Sequence, residues 1–129
     1  MMITPVYAAV LALIYVALSV RVIGARRSAR VALGDGGNPA LLRRQRVHAN
    51  FAEYVPLALI LMLLAEQQSM PAAIIHALGA CLLAGRLFHA IGVSRHPERL
   101  WQRVTGMSLT FTALVAGALA NLVASAGLI

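Results

Sequence analysis

The chain has no lysine. Its 11 basic residues are all arginine, and only Asp35, Glu53, Glu66 and Glu98 oppose them, leaving a net charge of +7. A single cysteine, Cys81, excludes an intrachain disulfide. Its place in an apolar run reads as packing, not as a nucleophile. No two histidines have metal-ligand spacing on one helix, so no metal is expected. Internal repeats, low-complexity tracts and a composition break marking a second domain are also missing, and residues 1–129 read as one domain. Positive charge alone would suit a nucleic acid. The remaining composition argues against it: 60% of the residues are hydrophobic, only 12% are charged, and the mean hydropathy is +0.81. Soluble domains are about 45–50% apolar. The arginines therefore point to anionic headgroups or to a small acidic ligand.

What the chain does have is long apolar runs. About 20 apolar residues cross the hydrocarbon of a bilayer. Four segments are long enough: about Ile3 to Val22, Leu41 to Ala65, Pro71 to Gly92 and Leu100 to Leu128. The expected fold is an all-α integral membrane bundle of four transmembrane helices. Between them lie GDGGNP (Gly34 to Pro39), EQQSMP (Glu66 to Pro71) and SRHPE (Ser94 to Glu98), each rich in turn residues or broken by proline. The first run has no positive region before it and arginines directly after it, so it is expected to be a retained span and not a cleaved signal. Arg21, Arg26, Arg27, Arg30, Arg43, Arg44 and Arg46 flank the first connection; Arg86, Arg95, Arg99 and Arg103 flank the third. The second connection and both termini have none. The positive-inside rule places connections one and three in the cytoplasm and both termini outside it.

The second run begins with a polar stripe in RQRVHANFAEYVP (Arg44 to Pro56). Arg46, Asn50 and Glu53 are spaced by four and three and share one side of a helix, with Arg43 and Leu57 continuing it and His48 pointing away. Glu53 lies roughly 10 Å deeper than Arg46 at 1.5 Å per residue. A carboxylate at that depth costs on the order of 2.5–3.5 kcal/mol unless it faces protein and finds a partner. Arg86 and Arg99 lie at the right level to supply one. Two readings follow: a structural ion pair that locks the bundle, or a polar pocket open to an anionic ligand. In GRLFHAIG (Gly85 to Gly92), Arg86 and His89 share a face. Arg86 either snorkels to the headgroups or joins the pocket; His89 reads as a core histidine or a pocket residue. His76 reads as interfacial, His96 as loop and His48 as facing lipid or water. Ala80 with Ala84, and Ala116 with Ala120 and Ala124, have the four-residue spacing that lets helices approach closely; in so alanine-rich a chain a lipid-facing surface reads nearly as well.

RVIGARRSARV (Arg21 to Val31) followed by RQRVHANFAEYVPLAL (Arg44 to Leu59) resembles the MAPEG family, the membrane-associated proteins in eicosanoid and glutathione metabolism. The shared core is an arginine, an asparagine four residues on, a glutamate seven on, and then an aromatic-x-proline: here Arg46, Asn50, Glu53, Tyr54 and Pro56. The resemblance implies a four-helix subunit, a homotrimer, and glutathione as co-substrate bound between subunits near the cytoplasmic face. Carried over by residue, it implies that Arg26, Arg46, Asn50, Glu53, Tyr54, Arg86 and His89 bind glutathione. It implies Arg99 as the residue that activates the thiol, with Arg103 in reserve one turn on. Several members carry tyrosine where this chain has Val93, and some have it at His89.

Arginine forks suit the two carboxylates of glutathione, Glu53 suits its ammonium, and a nearby arginine raises the thiolate fraction of a thiol whose free pKa is about 8.5. The expected function is a glutathione-dependent transferase or peroxidase acting on lipophilic electrophiles held in the bilayer of a bacterial inner membrane. The rival reading is a non-catalytic membrane protein of the same fold that binds an anionic thiol or lipid. A small four-span exporter fits poorly, because the first span contains no acid.

Overall fold

A computed structural model describes residues 2–127. They form four helices: α1 (Thr4–Ala29), α2 (Pro39–Gln67), α3 (Ala72–Ser94) and α4 (Leu100–Ser125). All four are long and apolar enough to cross a membrane, and the described residues contain no strand. The chain is an integral membrane protein built as a helical bundle. Leu128, the expected end of the fourth span, lies outside the described residues. The first helix runs seven residues past the expected Val22, so Arg21, Arg26 and Arg27 are helical and carry α1 beyond its apolar stretch.

Local chemistry sets the ends. Pro5 sits in the first turn of α1, where its missing N–H costs nothing. The helix stops at Arg30, which adopts a left-handed φ of 55° and hands its N–H back to the Arg27 carbonyl. Asn38 caps α2: its Oδ1 accepts from the Ala40 and Leu41 amides at 3.0 and 3.1 Å. Pro71 and the Pro97 region end the two remaining connections, as expected from proline.

Packing is uneven. α1 buries one narrow seam, Thr4, Leu11, Leu18 and Ala25, spaced by seven. It lies on α2, touches α3 slightly and does not pack on α4. The inner face of α2 is Val47, Phe51, Val55, Ala58, Met62 and Ala65, in steps of four and three. α3 and α4 make the closest pair. The small residues that permit this are glycines. A Cβ on Gly106 would come 2.5 Å from the His89 backbone nitrogen and 2.7 Å from the Gly85 carbonyl oxygen; one on Gly92 would come 2.8 Å from the Arg103 nitrogen. Ala80 and Ala116 are exposed.

The two ends of the bundle differ. The end that carries connections one and three is rich in arginine. At the other end, the Glu66 carboxylate accepts the amides of Ile3 and Thr4, capping α1 from the far end of α2. Gln68 bonds Asn121 at 2.8 Å and Ser125 at 3.0 Å, joining α2 to α4. Tyr7 Oη lies 3.2 Å from His76 Nδ1, and the Tyr7 ring fits against Gly79.

Candidate functional site

At the arginine-rich end, α2, α3 and α4 diverge around a cleft of about 270 Å³. Pro39, Leu42, Arg43, Arg46 and Asn50 come from α2, His89 and Val93 from α3, Glu98 from the last connection, and Arg103 from α4. The α2 residues reach it because Arg43, Arg46 and Asn50 share one face at steps of three and four. Glu98 bridges the mouth, accepting from Arg103 Nη1 at 3.1 Å and lying 3.7 Å from Arg43 Nη1. Three guanidinium groups thus face one carboxylate, an excess of positive charge in a partly desolvated wall.

Behind this cleft lies a buried polar cluster. Arg86 is only 1% exposed. It does not snorkel. Its Nη1 donates to Asn50 Oδ1 at 2.7 Å, and its Nη2 donates to Thr110 Oγ1 at 2.5 Å. Thr110 in turn donates to the Gly106 carbonyl at 2.8 Å. The Tyr54 ring lies 5.8 Å from the guanidinium carbon and packs edge-on against Phe111. Arg86 lies about 12 Å along α3 from its end at Ser94, at 1.5 Å per residue. A cation held at that depth needs donors satisfied on every side, and Arg86 Nε has no partner among the described residues.

The structure brings together Arg46, Asn50, His89 and Arg103, with Arg86 and Tyr54 directly behind. It does not bring in Arg26, Glu53 or Arg99. Arg26 donates to the Gly34 and Ala32 carbonyls at 2.8 and 3.4 Å, which organises the first connection. Arg99 precedes the first turn of α4, exposed and outside the cleft wall. Glu53 is exposed on the outer face of α2 and has no ion-pair partner among the described residues, so the expected pairing with Arg86 or Arg99 is not made within the chain. Leu57, one turn on, is 55% exposed on the same face.

His48 also differs from expectation. It packs between α1 and α2, stacked on Tyr15 at 4.6 Å, with Ser19 Oγ 3.0 Å from its Nε2. Because the Ser19 proton goes to the Tyr15 carbonyl, His48 Nε2 is the donor. Two residues of the cleft region escaped the sequence reading. Glu98 carried no signal beyond its position in a loop. Thr110 did carry one, as a polar residue in the middle of an apolar run, but its partner depends on the register between α3 and α4.

A four-helix membrane bundle with this α2 stripe defines a class. Residues 4–123 match the MAPEG family, and the chain belongs to it. It is 41% identical over 121 residues to the inner membrane protein YecN of Escherichia coli strain K12, covering 94% of this chain and 91% of that protein. The YecN of Escherichia coli O6:H1 strain CFT073 matches to the same extent.

Proposed function

We propose that this protein binds glutathione at the arginine-rich end of the bundle and transfers it to lipophilic electrophiles dissolved in a bacterial inner membrane. The observation that carries the reading is the cleft itself: Arg43, Arg46, Arg103 and Asn50 converge on one hollow in a chain of the MAPEG family. The inner-membrane placement follows the names of the relatives. With the arginine-rich end in the cytoplasm, both termini lie outside it.

The chemistry follows from the donors. Arg43 and Arg46 suit carboxylates bidentately. Glu98 at the mouth is an acceptor for the ammonium. Arg103, the α4 arginine of the cleft, would stabilise a thiolate there, which lowers the thiol pKa and raises the concentration of the nucleophile. The thiolate sulfur then bonds to the electrophilic carbon as the leaving group departs with its electron pair; the thiol proton has already passed to solvent. Glu53, Arg26 and Arg99 lie outside the cleft of one chain. In a homotrimer, a neighbouring subunit covers the Glu53 face, and these three residues become part of a ligand site shared between subunits.

One observation favours a second reading. Among the described residues no hydroxyl group lines the cleft, and Val93 occupies its wall. A binding protein without thiol activation would look the same. Calorimetric titration of the detergent-solubilised protein with glutathione, followed by a conjugation assay with an aryl halide, separates the readings. Binding with turnover supports the transferase. Binding without a thiolate absorbance at pH 7 supports the non-catalytic protein. Absence of binding removes the transferase and leaves the non-catalytic protein only with another anionic ligand, such as a lipid.

A further inference from the structure

We infer that Arg86 is a positioning residue that turns the Asn50 side chain so that only its amide N–H₂ is presented to the cleft; the ligand group seated at Asn50 must then be a hydrogen-bond acceptor. This rests on the reading of the cleft as a ligand site.

A guanidinium has donors only. The Asn50 side-chain atom 2.7 Å from Arg86 Nη1 is therefore the oxygen, and the nitrogen is turned away. That nitrogen has no partner among the described residues, and Asn50 lines the cleft. Arg86 cannot reverse the arrangement. Its Nη2 is bonded to Thr110, whose only proton is committed to the Gly106 carbonyl. Every bond in the chain runs outward from Arg86. Flipping the Asn50 amide would set donor against donor beside a group that is 1% exposed. The helices around it are fixed as well: a Cβ on Gly85 would lie 2.8 Å from Thr110 Oγ1 and 2.9 Å from the Gly106 oxygen.

Asparagine in isolation is ambivalent, able to donate or accept. Here its acceptor is spent inside the protein. With Arg43, Arg46 and Arg103, the inner cleft is dominated by donors; His89 is the ambivalent ring in its wall, and Glu98 at the mouth is the one carboxylate there among the described residues. Glutathione is thereby oriented: a carboxylate or peptide carbonyl goes to Asn50, and the ammonium goes toward the mouth.

Asn50→Asp tests this sharply. The carboxylate still accepts from Arg86 but has no N–H to offer the ligand. The expected result is a thermal unfolding midpoint in detergent at or above that of the wild type, with glutathione affinity lowered at least tenfold by calorimetry. Undiminished affinity in a folded Asn50→Asp protein overturns the inference. The orientation is also read without any ligand. Asn50→Asp should be neutral or stabilising beside Arg86 and destabilising in an Arg86→Met background, where the carboxylate has no donor. The same effect in both backgrounds overturns the inference. Arg86→Lys, which keeps a donor, should hold more affinity than Arg86→Met although neither side chain reaches the ligand. If the wild type takes up no glutathione, the proposed function falls, and the two-background unfolding comparison still decides the orientation of Asn50.

Discussion

Glu53 and Arg86 carry opposite charge on neighbouring helices and face opposite ways. Sequence spacing could place Asn50 with Arg46 on one side of α2, because i, i+4 geometry is local. It could not say that Asn50 would turn inward to Arg86 while Glu53 stayed outside, because that depends on how α2 rotates against α3. The same limit applies to the helix-four arginines. Arg99 and Arg103 are one turn apart, and only the position of Pro97 and the start of α4 decide that Arg103 reaches the cleft. If the thiol is activated within one subunit, Arg103→Ala should lower turnover with the aryl halide by more than it lowers glutathione affinity, and should raise the thiol pKa read by thiolate absorbance. Loss of activity in Arg99→Ala with Arg103→Ala unchanged would assign the role to the neighbouring subunit's edge of the site. Gly106 permits a simpler test. Its missing side chain is opposed by backbone atoms on α3, which cannot move aside as a flexible side chain could. Gly106→Ala should destabilise the fold by about 1–3 kcal/mol or more, seen as a lower unfolding midpoint in detergent.

The existence and order of the helices were legible because apolar length is a strong signal and proline or turn residues mark each break. The ends were less so. α1 outran its apolar stretch because arginine is a good helix former and nothing before Arg30 stops it. The tight seam between α3 and α4 was not legible: alanine is abundant here, and spacing alone cannot separate a buried Ala120 from an exposed Ala116. Asn38 offers a test of how α2 is started. Asn38→Ala removes an acceptor from two amides and should cost about 1 kcal/mol. Because the same residue opens the helix that carries Arg43 and Arg46, glutathione affinity should fall modestly with it. Calorimetry on the folded variant checks this; unchanged affinity would mean that the stripe is positioned from deeper in the bundle.

A single chain leaves much apolar surface bare, as any membrane protein does, but Glu53 is not apolar. A carboxylate on the outer face of a spanning helix, with no partner among the described residues, is poorly placed against lipid. The proposed trimer covers it. α1 and α4 do not touch within the subunit, which leaves the flank between them free for a neighbour. Mass measurement in mild detergent should give three copies, and Glu53→Ala should weaken both assembly and glutathione binding. A monomer that still binds glutathione would place the whole ligand site in the cleft of one chain and leave Glu53 without a role in it.

The Glu66 cap has a consequence for biogenesis. The carboxylate that caps the leading amides of α1 lies far along the chain, 62 residues beyond Thr4 and 63 beyond Ile3. Until α2 is in place, the start of α1 lacks this cap. Arrival of Glu66 closes the first two helices into a hairpin, latched on the side away from the arginines. The first two helices thus carry their own latch, and α3 and α4 are joined separately by the close approach of their glycines. The cleft forms only where the two units meet.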